Sequence, residues 1–222
     1  MLPPLAPGGY NSRVPTRRNE DHFSRLARQK GFAARSVFKL QEMQDRFRLF
    51  RPGARILDLG AAPGSWSQFC LQALAGRGLV VGVDLNQTSF RPPAGPAAEY
   101  RFLQGDLLSA EVEARLTEWG PYDLVLSDAA PQTSGSHVVD TQASLEIAGR
   151  AVQMALLLLK PGGNAAVKVF QGGEEGALLE TLRAAFQRAR AFKPGASRSE
   201  SREVYLLGLG RMAGAAGASR AS

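Results

Sequence analysis

Short apolar runs and helix-like stretches alternate along this chain, and that alternation limits the folds open to it. RILDLG (55–60), LVVGVDL (79–85), YRFLQGD (100–106), YDLVLSD (122–128), NAAVKVF (164–170) and EVYLLGLG (203–210) read as strands. Residues 64–75, 109–119, 139–159 and 175–190 between them read as helices, and 21–30 and 35–47 precede them. In 35–47, Val37, Phe38, Leu40, Met43 and Phe47 recur at helical spacing. Arg51-Pro52-Gly53, Gly76 and Lys160-Pro161-Gly162-Gly163 are the stop signals. The strands are apolar runs, not polar–apolar alternations, which marks a parallel sheet covered on both faces. The expected architecture is an open α/β sandwich. Such sheets bind ligands beyond the carboxyl ends of their strands.

A length of 222 residues suits one domain with short appendages. Residues 1–19 carry Pro, Gly and Arg without an acid, and are expected to form a flexible basic arm. The single domain is expected over 20–211 and a disordered, low-complexity tail over 212–222. No apolar run reaches the 18 residues of a membrane span. One cysteine, Cys70, excludes an intrachain disulfide, and two distant histidines give no metal-ligand spacing, so no metal is expected. A free thiol without a secretory signal points to the cytoplasm, with the mitochondrion second.

The net charge of +7 is local. Residues 11–51 hold eleven Lys/Arg against four Asp/Glu, while the rest of the chain is balanced. From Arg183 to Arg211 a second cluster has seven basic residues and two acids. A fold that brings both to one side builds a surface for a polyanion, and RNA is the expected partner.

Four of the strand ends carry an aspartate: Asp58, Asp84, Asp106 and Asp128. DLGAAPGSWSQ (58–68) opens a helix after the first strand, with Gly60 and Gly64 allowing close backbone approach. It lacks the G-x-G-x-x-G of dinucleotide sites, so it suits a compact ligand without phosphates. Asp84, at the end of the second strand, can accept from ribose hydroxyls, and Asp106 from a purine amine. Together these describe a pocket for S-adenosylmethionine. Lys168 lies inside an apolar strand, where a lysine is costly unless paired.

With SDAAPQTSG (127–135), VKVFQGG (167–173), SREVYLLGLG (201–210) and ARSVFKLQEM (34–43) added to that loop, the chain resembles the FtsJ/RrmJ family of RNA ribose 2′-O-methyltransferases from about Asp21 to Arg211. The resemblance implies a Rossmann-like fold with a mostly parallel seven-stranded sheet, an antiparallel final strand and helices on both faces. It implies a Lys-Asp-Lys-Glu catalytic tetrad, here Lys39, Asp128, Lys168 and Glu203. It also places Gly64 and Trp66 at the methionine part of S-adenosyl-L-methionine, Asp84 at the ribose and Asp106 at the adenine. Asp128 lies near the sulfonium, and S-adenosyl-L-homocysteine is the product. Ser65 stands where the family usually has glycine, and Gln132 and Thr133 where Asn and Met are common.

Lys168 is expected to orient and deprotonate a ribose 2′-hydroxyl or to stabilise the forming alkoxide. Lys39 and Glu203 are expected to set the field and place the ribose. Arg17, Arg18, Arg25, Arg28, Lys30 and Arg35, with Arg198 and Arg202 at a second edge, are expected to hold RNA phosphates. The substrate expected of a monomer of this family is a uridine of 23S-type rRNA in the large ribosomal subunit. The alternatives are tRNA or capped mRNA, or a non-catalytic RNA-binding assembly factor. A small-molecule methyltransferase would leave the basic block unexplained, and a nicotinamide enzyme is disfavoured by the missing glycine.

Overall fold

A computed structural model describes residues 22–92, 98–131, 134–172, 174–198 and 200–214. The expected arm at 1–19, with Arg17 and Arg18, lies outside them, as do Gln132, Thr133 and most of the tail.

Helices α1 (His22–Gln29) and α2 (Val37–Phe47) precede β1 (Arg55–Leu59). Then follow α3 (Ser65–Ala73), β2 (Leu79–Asp84), β3 (Glu99–Gln104), α4 (Ala110–Trp119) and β4 (Tyr122–Ser127). The chain closes with α5 (His137–Leu158), β5 (Leu159–Phe170), α6 (Glu175–Ala185), β6 (Phe186–Phe192) and β7 (Glu203–Arg211). The seven strands form one sheet in the order β3-β2-β1-β4-β5-β7-β6. Strands β1 to β5 run parallel, and β7 is antiparallel to both β5 and β6.

Each sheet face is buried under helices because its strands are apolar on both sides. Leu57, Val81, Val125, Val167 and Leu206 pack against α4, α5 and α6 through Val112, Val152, Ala155 and Leu182. Ile56, Val80, Leu124, Ala166, Tyr205 and Leu207 pack against α2 and α3 through Leu40, Met43, Trp66 and Cys70. Strand order reverses direction between β1 and β4, so the loops after these two strands open the crevice where such sheets take ligands.

Two elements differ from the sequence reading. The stretch 175–190 is not one helix: α6 stops at Ala185 and β6 follows at once. QRARA lacks a breaker and has a helix former's composition, but Phe186 and Phe192 anchor the segment, and one partner strand, β7, suffices for an edge. The Lys160-Pro161-Gly162-Gly163 stop is absorbed into β5. Tyr122 pairs with Leu159 and Leu124 with Asn164, so residues 160–163 form an irregularity in the ladder.

The β6–β7 contact is close. A Cβ on Gly208 would fall 2.8 Å from the Phe186 ring, an approach only glycine permits. Gly208→Ala is expected to cost about 1–3 kcal/mol in urea unfolding, whereas Arg188→Ala, at an exposed position of β6, stays within about 0.5 kcal/mol.

Candidate active site

The register of β5 on β7 builds the centre. Lys168 pairs with Tyr205 and Phe170 with Glu203, so these four side chains share one face of the sheet. Lys168 is 6% exposed, and its burial is matched by partners. Its Nζ donates to the Asp128 carbonyl (2.5 Å), meets Asp128 Oδ1 at 3.0 Å and lies 3.7 Å from Glu203 Oε1. Lys39 comes from α2, and its Nζ donates to Glu203 Oε2 at 2.7 Å. The four tetrad residues predicted from sequence are thus in one connected set.

A fifth member, Tyr205, escaped the sequence reading. Its hydroxyl donates to Asp128 Oδ1 (2.7 Å), and its ring lies 5.8 Å from Trp66 and 5.9 Å from Lys39 Nζ. The signal was available: Tyr205 stands two residues after Glu203 and so on the same strand face. Burial, the Asp128 charge and the bond to it push its hydroxyl well above the usual tyrosine range, which keeps it a donor. Burial would raise the Glu203 carboxyl, but Lys39, with Lys168 and Ser201, outweighs it and holds the group below the ordinary glutamate value. Glu203 therefore stays anionic at neutrality.

On the cofactor side, Gly60 (φ 77°) and Gly64 (φ 114°) adopt left-handed backbone. A Cβ on Gly60 would fall 2.6 Å from the Ala129 backbone, and one on Gly64 2.3 Å from Phe90 Cβ. The two glycines let the loop after β1 nest against the loops after β4 and β2. The first-turn N–H groups of α3 lie beyond Gly64 without helical acceptors, a seat for a carboxylate.

Asp84 accepts from Ala62 N (3.0 Å) on one oxygen and from Asn86 N (2.8 Å) and Nδ2 (3.3 Å) on the other. One of about four acceptor positions stays open; a second ribose hydroxyl needs Asn86 Nδ2 to let go. Asp106 is exposed and accepts from Leu108 N (2.9 Å) on Oδ1, so it caps a turn and also faces outward. Arg91 is the one basic residue on the loops after β1, β2 and β3, and it folds back on the Thr88 and Phe90 carbonyls. An acid-rich, base-poor mouth suits a cationic sulfonium ligand without phosphates, so the residues fit S-adenosylmethionine.

Two sequence expectations are revised. Trp66 does not offer its indole to a ligand: it is 2% exposed, and Nε1 donates to Ser36 O (2.9 Å). The large ring belongs to the core, and its backbone N–H is what remains at the loop. Asp58 does not sit at the mouth but is wholly buried in β1. Its Oδ2 accepts from Ser67 Oγ (2.7 Å), and its Oδ1 has no partner among the described residues.

The predicted RNA-binding residues divide. Arg35, Arg198 and Arg202 line a cleft of about 440 Å³ together with Lys39 and Glu203, so the two basic clusters do converge. Arg35 is also structural: Nη2 donates to Ala196 O (2.6 Å) and the guanidinium lies 5.5 Å from the Phe23 ring. Arg202 donates to Thr141 Oγ1 (3.0 Å). Arg25, Arg28 and Lys30 are exposed on and just after α1, which stacks on α2 through Phe23 and Phe38. Asp140, unforeseen, accepts from Ser134 N and Oγ (2.7 Å each). These bonds hold its carboxyl below the usual range and tie the loop after β4 to α5.

Sheet order and site define a class, the Rossmann-like S-adenosylmethionine-dependent methyltransferases. The FtsJ-like methyltransferase family model matches residues 32–211. Ribosomal RNA large subunit methyltransferase E of Syntrophobacter fumaroxidans is 45% identical over 190 residues, covering 85% of this chain and 94% of that protein. The protein of the same name from Treponema denticola is 44% identical over 191 residues, with 85% and 94% covered. A crystal structure described as a ribosomal RNA methyltransferase from Plasmodium falciparum superposes with a TM-score of 0.72 at 26% identity, covering 82% of this chain and 99% of that one. Human methyltransferase-like protein 13, solved with SAH, shares the fold at a TM-score of 0.53 and 15% identity, over 77% and 80% of the two chains. The chain belongs to the FtsJ-like methyltransferase family.

Asp58 yields a pH prediction. Burial, opposed by the Ser67 bond and aided by the Asp128 and Asp84 charges, pushes its carboxyl up to about 7 from 3.8. The folded state thus holds a proton that the unfolded state releases between those values, and stability falls as pH rises through that window. Wild-type unfolding free energy is expected to drop by a few kcal/mol from pH 4 to 7 relative to Asp58→Asn, then run parallel to it. Equal slopes in urea titrations would refute the assignment.

Proposed function

We propose that this protein transfers the methyl group of S-adenosylmethionine to the ribose 2′-oxygen of a uridine in 23S-type rRNA of the large ribosomal subunit. The observation that carries this is the placement of the connected tetrad between an acid-lined cofactor mouth and an arginine-lined cleft. The relatives' shared name, ribosomal RNA large subunit methyltransferase E, supports the choice of RNA. The reading includes a monomer acting in the cytoplasm.

The cofactor supplies an electrophilic methyl group on a positively charged sulfur. Gly60, Gly64 and the first turn of α3 hold its amino-acid end, Asp84 its ribose and Asp106 its adenine amine. Lys168 would meet the 2′-oxygen and stabilise its developing charge as the O–H proton passes to solvent water and the oxygen takes the methyl group, the electron pair of the broken S–CH3 bond remaining on sulfur. Asp128 fixes the Lys168 ammonium through its carbonyl and Oδ1, while Tyr205 fixes Asp128. Glu203 bridges the two lysines, so Lys39 is set against the cleft wall where the ribose enters. Much of the rate then comes from orientation. Arg35, Arg198 and Arg202 hold phosphates beside the accepting nucleotide, and Arg25, Arg28 and Lys30 extend the contact.

Label from S-adenosylmethionine is expected on one uridine 2′-oxygen when unmodified large subunits, tRNA and capped RNA are compared. Label confined to tRNA or cap would move the enzyme to another substrate. Lys168→Ala is expected to lower turnover by about 10²–10⁴-fold with the cofactor still bound; near-normal turnover would sink the role given to Lys168. RNA affinity is expected to fall steeply with salt, and Arg198→Ala with Arg202→Ala to flatten the log–log slope by about 2.

A further inference from the structure

Next to the arginine-lined cleft lies a second hollow of about 310 Å³. His137, Thr141, Gln142 and Leu145 of α5 form one wall, and Phe170, at the end of β5, forms another. Phe170 and Arg202 border both cavities, so the hollow opens onto the tetrad. Phe170 follows Lys168 by two residues on one strand face and pairs with Glu203, which contacts both lysines.

The walls are fixed. Arg202 Nη1 donates to Thr141 Oγ1 at 3.0 Å, and a Cβ on Gly172 would fall 2.4 Å from Thr141 Cγ2. The loop after β5 therefore rests directly on α5. The guanidinium of Arg202 stands 5.9 Å from the Phe170 ring centroid, at the border with the phosphate-side cleft.

The lining chooses a ligand. Glu174 and Glu175 disfavour a phosphate. A purely aliphatic group would leave the exposed His137 and Gln142 side chains unmatched, and neither makes a side-chain hydrogen bond to another described residue. A flat heteroaromatic ring satisfies both features: its face stacks on Phe170, and its rim meets the amide and the imidazole.

We infer that this hollow receives the base of the nucleotide whose ribose is methylated, turned out of the RNA stack and laid on Phe170. The inference rests on the RNA 2′-O-methyltransfer reading above. A 2′-oxygen at Lys168 has its own base one sugar away, and Phe170 is the aromatic face at that reach. The Gln142 amide, with two donors and one acceptor, complements the N3–H and carbonyl edge of uracil. Turned over, the same amide also matches cytosine, donating to N3 and accepting from N4, so it holds a pyrimidine edge without choosing between the two.

The test uses the full-length enzyme and unmodified large subunits carrying either uridine or cytidine at the accepting position. Phe170→Ala is expected to lower kcat/KM on uridine subunits roughly tenfold to hundredfold, with S-adenosylmethionine affinity unchanged and Phe170→Tyr near wild type. Gln142→Ala is expected to lower kcat/KM on uridine and cytidine subunits alike, because its amide can pair with either edge. Phe170→Ala within twofold of wild type, or Gln142→Ala within twofold of wild type on uridine subunits, overturns the inference. Absence of wild-type transfer to any RNA is a different result, and overturns the reading on which the inference rests.

Discussion

The antiparallel register of β5 on β7 is the constraint on which the centre depends. It seats Lys168 opposite Tyr205 and Phe170 opposite Glu203, at the seam where the parallel order of the sheet gives way to antiparallel pairing. A lysine in a buried strand is costly unless it is paired. Here Asp128 from β4's end and Glu203 from β7 supply the pairing, and Glu203 in turn holds Lys39 on α2. Elements far apart in the chain are thereby tied at one point. Removing one partner of such a buried pair leaves the other charge uncompensated, typically at a cost of about 3–5 kcal/mol. The candidate centre is therefore also a structural junction.

Charge is divided along the crest of the sheet in the order that methyl transfer needs. Asp84, Asp106 and Asp128 stand at or just beyond the ends of β2, β3 and β4, and arginines line the cleft beside β5 and β7. The lysine–carboxylate set lies between the two, on the seam where a cationic methyl donor and a polyanionic acceptor must meet. Neither flank competes for the other's ligand: the lone arginine on the cofactor loops is turned onto its own carbonyls.

Much of this was legible in the sequence because it is written in residue type and spacing. Apolar runs gave six strands, and an aspartate or glycine after each parallel strand located the mouth. Lys168 stood out because a lysine inside AAVKVF is costly unless paired, while the full tetrad came with the family resemblance. What stayed hidden has physical causes. The edge strand β6 needs only one partner, so QRARA carries no strand-like apolar run. Tyr205 looks like any core aromatic until its hydroxyl is seen on Asp128. Trp66 and Asp58 sit in the cofactor motif, yet the core claims both side chains, which spacing alone cannot reveal.

The burial of Trp66 also explains how the two halves of the site keep their distance from one another. Its indole donates to the Ser36 carbonyl at the start of α2, and Ser36 Oγ lies 3.3 Å from Ser65 Oγ at the start of α3. Helix α3 opens from the cofactor loop, and α2 carries Lys39 three residues beyond Ser36. Lys39 is thus set by the same helix whose first turn faces the cofactor. The family's glycine at 65 would lack the serine hydroxyl, and here that hydroxyl adds a direct polar contact between the two helix starts. A ring removed from the ligand surface serves the site by fixing the spacing between the helix that opens from the cofactor loop and the helix that supplies a tetrad lysine.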